Sequence, residues 1–190
     1  MNAFIHAHAF ATLVTSNEGR IVASHLPVLF DESANRLRSH MARANEQWKH
    51  FANGEEVLCI FQGPHAYISP SWYVQQHTVP TWNYAVAHVY GKPSLVSETE
   101  LKQIVLDTTA KFESQMPKPW KMPLSEIEIA GMLKAIVGFK IDITRAETKF
   151  KLGQNRSPED QEMMLRNLQA APDEESRALA RFIQAQRERK

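Results

Sequence analysis

Residues 37–45, LRSHMARAN, combine the side chains that phosphate-binding sites use. A strand-like run ends here and a helix-like run begins, and backbone N–H groups at the start of a helix attract anions. Arg43 adds a guanidinium group whose forked donors match a phosphate. Ser39, His40 and Asn45 supply further polar atoms close by. The pattern indicates a phosphate pocket, although an ordinary solvated junction between a strand and a helix would have the same composition.

A second polar stretch, residues 149–156, has the sequence KFKLGQNR. Lys149 and Lys151 alternate with apolar residues, so both would face one side of an extended segment. Gln154 and Asn155 can donate and accept hydrogen bonds at once, which suits the edge of a heteroaromatic ring such as a flavin. Arg156 follows them directly. The alternative is a basic edge strand on the surface, followed by a polar turn.

Residues 63–84, GPHAYISPSWYVQQHTVPTWNY, are rich in aromatic residues and proline. Each proline fixes its own φ and restricts the residue before it, so this segment must follow a narrow path. Tyr67, Trp82 and Tyr84 offer flat surfaces with polar tips, which suit the walls of a site for a planar cofactor. Packing in the core or against another subunit is the alternative, and we favour it for Trp72 and Tyr73.

The sequence predicts no metal site and no nucleophilic catalyst. A zinc site needs three or four converging ligands, and the eight histidines form neither an HExxH motif nor a Cys–His spacing. Ser69-Pro70-Ser71 lacks the flanking glycines of a nucleophile elbow. Cys59 lies within the apolar run VLCIF, and we predict it to be a small core residue.

Charge and hydropathy argue against a nucleic-acid or membrane partner. The net charge is +1, and the basic residues are spread along the chain, so DNA binding has little support from the sequence. No apolar run approaches the ~20 residues of a membrane span, and the N-terminus lacks the basic region of a signal peptide. We therefore expect a cytoplasmic protein that does not contact membranes.

Strands must position most of these residues. Residues 10–15 and 20–30 flank the turn sequence Ser16-Asn17-Glu18-Gly19 and predict a hairpin. The segment that carries His6 and His8 is predicted to be extended. Further strands are predicted for residues 37–41, 57–62, 82–90 and 137–143, with an interruption at Gly91-Lys92-Pro93.

Helices are predicted mainly in the second half of the chain. Ser97 with Glu100, and Ser125 with Glu128, form capping boxes in front of apolar runs. A short helix is also predicted within residues 42–54, and two more begin near Pro158 and Asp173. The order of elements predicts an α+β, mainly β, barrel-like domain over residues 1–168, with a C-terminal helical extension over residues 169–190.

The motifs together resemble the PaiB family of FMN-binding split-barrel proteins. The strings FQGPHAYISPSWY and VPTWNYAVAHVYG are similar to the family's hallmark. The family's other sequence blocks are matched, in the same order, by SHLPV, SHMARANEQW and KFKLGQNR. The likeness extends to about Asn167. Gly153 stands where the family commonly has serine. Family members also usually begin with a longer leading segment before the block that matches residues 4–15.

The resemblance implies a six-stranded split β-barrel with peripheral helices, a homodimer with FMN sites at the subunit interface, and a role as a negative transcriptional regulator. It also implies that the phosphate lies at residues 39–45, and that the other cofactor-binding residues line the flavin ring or the ribityl chain. The implied cofactor-binding residues are His25, Ser39, His40, Arg43, Asn45, Tyr67, Ser69, Thr81, Trp82, Asn83, Lys151, Gln154, Asn155 and Arg156.

Three functional hypotheses follow, and the sequence leaves open whether the chain is an enzyme. The first is an FMN-dependent transcriptional regulator. The second is an FMN-dependent oxidoreductase of the flavin reductase type, with an indirect regulatory role. The third is a haem-binding split barrel, for which His6, His65 and His77 are the candidate axial ligands.

Overall fold

The computed structural model describes residues 1–75 and 77–188. Six strands close a barrel in the order β1-β2-β3-β6-β5-β4. This confirms the predicted mainly β fold with a six-stranded barrel. The strands are β1 (Phe10–Asn17), β2 (Arg20–Asp31), β3 (Arg36–Ala42), β4 (Val57–Ile68), β5 (Thr81–Leu95) and β6 (Ile136–Lys151).

The first hairpin forms as predicted. β1 and β2 pair antiparallel from Phe10 opposite Pro27 to Asn17 opposite Arg20. The two turn residues, Glu18 and Gly19, have φ angles of 50° and 77°. Two positive φ angles are what a tight hairpin turn of the primed type requires, because that turn matches the twist of the strands.

One compact unit comprises residues 1–61 and 87–147. Its core contains side chains such as Leu37, Phe61 and Phe139, which are almost wholly buried. On β3 the inward residues alternate with half-buried outward ones, as a strand with one face on the core requires. The ring of Phe139 packs against that of Phe51, with centroids 5.1 Å apart.

The helices of this unit are α1 (Asn2–Ala7), a 3₁₀ helix (Glu46–Asn53), α2 (Glu98–Glu113) and α3 (Glu126–Leu133). Both predicted capping boxes are present at the starts of α2 and α3. Gly138 on β6 lets α2 approach the barrel closely, because a Cβ there would lie 2.8 Å from Leu101 Cδ1.

The other compact unit comprises residues 62–86 and 148–190, of which residues 76, 189 and 190 are not described. It contains α4 (Pro158–Ala170) and α5 (Glu174–Arg187). Met164 and Leu168 from α4 pack with Leu179 and Ile183 from α5 in one buried cluster. The terminal helix therefore contributes to the hydrophobic core of this unit.

Several predicted element boundaries were wrong. The N-terminal residues form α1 rather than an extended segment, since this places the adjacent Phe4 and Ile5 in the core together. The helix predicted from residue 42 begins only at Glu46, because Asn45 caps it. β4 continues to Ile68 and β6 to Lys151.

Gly91 does not interrupt β5, which runs through to Leu95. A Cβ at this position would lie 2.4 Å from the carbonyl oxygen of Asp142. Glycine is therefore needed for close approach of two backbones, rather than to break the strand.

Cys59 is buried, as predicted, and burial raises the pKa of its thiol to about 12. Among the described residues, no helix has the length and apolar character that crossing a membrane requires. The predicted boundary after residue 168 falls within α4, which ends at Ala170. The division into residues 1–168 and 169–190 stays a prediction, and the last two residues lie outside the described part of the chain.

Candidate functional site

The two central polar residues of β3 face opposite ways. Ser39 is buried, and its hydroxyl donates to the carbonyl oxygen of Pro27 at 2.6 Å. His40 is half-buried on the other face of the strand, since successive strand side chains alternate. The hydroxyl proton of Ser39 is therefore engaged inside the protein, and His40 is the better placed of the two to meet a ligand.

His40 carries a buried polar atom without a partner. Its Nδ1 makes no hydrogen bond to any residue that the structure describes. Burial lowers the pKa of His40 from its ordinary value of 6.5, so the ring is neutral near pH 7. With the proton on Nε2, Nδ1 keeps only a lone pair in the buried position, and Nε2–H remains as a donor.

The guanidinium group of Arg43 is held by two backbone carbonyls. Nε donates to Lys134 at 2.7 Å and Nη2 donates to Ile136 at 2.9 Å. Nη1 has no hydrogen-bond partner among the described residues. Arg43 and Lys134 both border a cavity of about 220 Å³, as does Glu98. These bonds fix the orientation of Arg43 and leave one edge of its fork available.

Asn45 and His25 have different surroundings. The Asn45 side chain accepts from the backbone N–H of Gln47 at 3.1 Å and donates to Ser24 Oγ at 2.7 Å. Asn45 is thus the N-cap of the 3₁₀ helix. Both the oxygen and the nitrogen of its side-chain amide are already hydrogen-bonded. His25 is exposed, and its ring stacks on that of Phe10 with centroids 6.3 Å apart.

In the other unit, Tyr67 and Trp82 lie side by side on exposed faces of their strands. Tyr67 is 47% exposed and Trp82 54% exposed, and their ring centroids are 6.1 Å apart in an edge-to-face arrangement. Ser69, nearby in sequence, caps the short 3₁₀ helix Pro70–Trp72 through a bond from Ser71 N–H at 3.2 Å. Neighbouring exposed aromatic rings form an apolar patch, and such patches are typical of surfaces that meet a partner or a ligand.

Thr81 and Lys151 are also brought together. The Lys151 ammonium donates to Thr81 Oγ1. This contact places a cation at the start of β5, where Trp82 is the next residue.

Asn83 lies in the interior. It is 1% exposed, and its Nδ2 lies 3.2 Å from Met164 Sδ. Gly153 packs against the same pair, has a φ angle of +77°, and would place a Cβ 3.1 Å from Met164 Cε. The departure from serine at this position therefore suits the local backbone, and Asn83 is enclosed by side chains rather than presented to a ligand.

The three residues after Gly153 form a turn. Gln154 accepts from Leu152 N–H at 2.7 Å and donates to the Phe150 carbonyl at 2.8 Å, so both ends of its amide are used locally. Asn155 is exposed. The Arg156 guanidinium lies over the ring of the buried Tyr73, 4.5 Å from its centroid.

Sequence reasoning missed two carboxylates in this unit. Asp160 is 1% exposed and accepts from Val74 N–H at 2.7 Å, while its other oxygen has no partner among the described residues. Glu175 accepts from His65 N–H at 3.1 Å and lies 3.2 Å from His65 Nδ1. Ser157, three residues before Asp160, signalled a helix cap, but no local pattern pairs Glu175 with His65.

The three histidines considered as haem ligands have separate environments. His6 Nε2 lies 2.8 Å from Glu32, His65 pairs with Glu175, and His77 is exposed. Within residues 1–75 and 77–188, no three His, Cys, Asp or Glu side chains come together in a group that could hold a metal ion.

The two units differ in the chemistry of their donors. The first unit has a neutral histidine that can donate through Nε2–H and an oriented arginine with a free donor, which suit a phosphate. The second has exposed aromatic faces beside a lysine, which suit a planar ring that accepts hydrogen bonds.

Comparison with known proteins gives the family. The family model described as "Putative FMN-binding domain" matches residues 1–145. The "Protease synthase and sporulation protein PAI 2" of Bacillus subtilis (strain 168) is 37% identical over 185 residues, which cover 95% of this chain and 88% of the relative. An uncharacterized protein of Emericella nidulans is 27% identical, covering 90% of this chain and 84% of the relative.

Solved structures share the barrel at low sequence identity. The FAD and heme binding protein from Mycobacterium smegmatis has a TM-score of 0.62 at 14% identity, covering 83% of this chain and 73% of that one. The flavocytochrome Anf3 from Azotobacter vinelandii has a TM-score of 0.61 at 13% identity, covering 90% of this chain and 72% of that one. At these identities the likeness concerns the fold.

Proposed function

The chain belongs to the PaiB family of FMN-binding split-barrel proteins, and from this premise we propose that it is an FMN-dependent negative regulator of transcription that works as a homodimer. The supporting observation is the 37% identity over 95% of the chain to the "Protease synthase and sporulation protein PAI 2" of Bacillus subtilis. Cytoplasmic location is part of the same proposal.

For the phosphate of FMN, we propose His40 and Arg43 as the direct ligands. Arg43 retains a free guanidinium edge after its bonds to Lys134 and Ile136, and a guanidinium–phosphate contact is charge-assisted. His40 donates through Nε2. Ser39 and Asn45 are proposed to support the phosphate site without contacting the phosphate, because their own polar atoms are already hydrogen-bonded inside the protein.

For the ring and ribityl chain, the proposed contacts are the exposed aromatic pair and the Thr81–Lys151 pair. Tyr67 and Trp82 supply flat apolar surface. Ser69, Gln154, Asn155 and Arg156 supply polar atoms around them. His25, exposed on β2, is proposed to lie along the ring. Asn83 supports β5 from inside through Met164. In the homodimer, these contacts would lie at the subunit interface.

The flavin, rather than a basic surface, is proposed as the regulatory element. The chain carries 22 Lys and Arg against 21 Asp and Glu, so its general attraction to DNA is weak. FMN loading or reduction would instead change the exposed surface that a partner, or a DNA-bound complex, meets.

A reporter assay tests the regulatory proposal. In a strain lacking the gene, wild-type protein should repress its target promoters, and Arg43→Ala, made at equal abundance, should not. Equal repression by both proteins would show that regulation does not depend on FMN. A mobility shift at physiological salt would then establish whether the wild-type protein contacts DNA directly.

An FMN-dependent oxidoreductase is the second candidate, and the Lys151–Thr81 contact favours it. When bound, FMN supplies reversible two-electron redox chemistry. A fixed ammonium near the N1–C2 edge of the ring would stabilise the negative charge of the reduced flavin. Anaerobic NADH or NADPH should bleach the flavin under this reading, and an unbleached flavin would exclude a reductase that uses these donors.

A further inference from the structure

His65 and Glu175 form a histidine–carboxylate pair inside the second unit. His65 Nδ1 lies 3.2 Å from Glu175 Oε1, and the same oxygen accepts from the His65 backbone N–H at 3.1 Å. Gln62 Nε2 is the other neighbour of Nδ1, at 3.4 Å. Because the carboxylate is closer and can only accept, it favours a proton on Nδ1 and orients the ring. Nε2 makes no hydrogen bond to a described residue, so it is the atom that can meet a ligand.

This pair borders the aromatic surface that we propose for the flavin ring. His65 and Tyr67 lie two positions apart on β4, so their side chains share one face of the strand. The centroid of the Trp82 ring lies 6.1 Å from that of His65 and 6.1 Å from that of Tyr67. All three residues line a cavity of about 670 Å³ that is formed within this unit, and its size is that of a small-molecule site.

The charged residues of the cavity lining are acidic. They are Asp173 and Glu175, at the N-terminus of α5, and no lysine or arginine is among the described residues that form the lining. α4 contributes the neutral Asn167. A hydrogen bond from Ser176 N–H holds the pKa of Asp173 below its usual value, so this carboxylate is ionised near pH 7. His65 is therefore the residue of this lining that can supply positive charge near neutral pH.

Two basic side chains of the same unit are engaged with other partners. Arg177, on α5, pairs with Glu174 at 2.9 Å. Lys151 donates to Thr81 Oγ1 and is not part of the lining. A flavin ring has carbonyl oxygens and ring nitrogens that accept hydrogen bonds. Within the described lining, such a ring meets a cationic donor only when His65 is protonated.

We infer that His65 takes up a proton from solvent as FMN binds, with Glu175 as the partner of the imidazolium and Nε2–H as a donor to the ring. This inference rests on the proposed FMN site and adds its regulation by pH. Because the complex holds one proton more than the free protein, FMN affinity falls as pH rises through the range in which histidine loses its proton. The site is therefore loaded more fully in mildly acidic solution.

The test measures the Kd of FMN on the full chain at about pH 6 and about pH 8 by fluorescence titration. The ratio of the two values is compared between proteins, because the phosphate of FMN titrates alike in all of them. We expect the ratio to be about tenfold larger for the wild-type protein than for His65→Gln, which cannot take up the proton. Equal ratios in these two proteins would overturn the inference and leave FMN binding itself standing.

Matched variants assign the effect to this pair. Glu175→Gln keeps an oxygen that can accept from His65 N–H but removes the counter-charge, so it should lower the ratio about threefold. Glu159→Gln, on α4 and outside the lining, should keep the wild-type ratio within about twofold. So should His6→Gln, because His6 pairs with Glu32 in the first unit. An equal loss of pH dependence in His6→Gln would overturn the assignment to His65.

Circular dichroism reports whether each variant is folded. If His65→Gln does not fold, NMR of the wild-type protein decides the matter, with the His65 ring assigned through its contact with Trp82. Its titration midpoint should lie at higher pH with FMN than without, and an unchanged midpoint would overturn the inference. A folded wild-type protein that binds no FMN at either pH would overturn the proposed function together with this inference.

Discussion

Polar side chains near the end of β3 are mostly engaged inside the protein, whereas Tyr67 on β4 and Trp82 on β5 are left open. Ser39, Arg43 and Asn45 all make hydrogen bonds within their own unit. Tyr67 and Trp82 are about half exposed. The first region is therefore organised before any ligand arrives, and the second has apolar surface still to be covered. Phosphate binding needs fixed donors, while a ring or a subunit needs open surface.

The largest expected effect is a loss of stability when a buried side chain of the second unit is truncated. Met164→Ala should lower the free energy of unfolding by about 3 kcal/mol, because it leaves a cavity in the buried cluster and removes the contact of Asn83. Urea denaturation followed by circular dichroism measures this change. Met163→Ala, on the more exposed side of the same helix, should change stability by less than about 0.5 kcal/mol. Similar losses in both variants would mean that α4 is packed differently.

The next effect tests the phosphate region. Arg43→Ala should weaken FMN binding by roughly 2 kcal/mol, or about 30-fold, through loss of a charge-assisted contact. Fluorescence titration of FMN measures this. Arg20→Ala, at the exposed first hairpin, is the control and should bind FMN normally. Unchanged affinity in Arg43→Ala would show that the phosphate lies elsewhere.

A smaller effect tests the open rings. Trp82→Leu should weaken FMN about tenfold, since a flat aromatic surface is replaced by a smaller one, while the free energy of unfolding changes by less than about 1 kcal/mol because the ring is exposed. The same titration and denaturation experiments give both numbers. Trp120→Leu should change neither. A large stability loss with normal FMN affinity would make Trp82 a packing residue.

The smallest effect concerns pH. Because burial lowers the pKa of His40 from 6.5, the unfolded chain takes up a proton at this site before the folded one does. The stability that follows is fully present above pH 6.5 and is lost as pH falls from there through the lowered pKa. His40→Gln should therefore show a shallower fall in the free energy of unfolding between pH 7 and about pH 5. A slope in His40→Gln that is identical to that of the wild-type protein would contradict the prediction.

Local signals were sufficient for the hairpin at Glu18-Gly19 and for both capping boxes, because each is formed by residues that are neighbours in sequence. They failed where the partner is distant. Glycine often interrupts a strand, but Gly91 lies within β5 and allows the backbone of Asp142 to approach closely. Val74 and Asp160 are separated by 86 positions, and His65 and Glu175 by 110.

The candidate site shows the same division. The residue types at positions 39–45 and 149–156 indicated phosphate and ring chemistry, and the resemblance gave the cofactor. The sequence did not predict which of these polar atoms are already hydrogen-bonded within the protein, because their partners are distant in sequence. Arg43 donates to the carbonyls of Lys134 and Ile136, and Asn83 contacts Met164.

A spectroscopic titration of the purified protein with FMN tests most directly whether this chain binds the cofactor. The protein should bind one FMN per chain, with the visible flavin band perturbed and the flavin fluorescence changed, and Arg43→Ala should shift the titration midpoint to higher FMN concentration. A folded wild-type protein that takes up no FMN, or that binds haem in its place, would contradict the account.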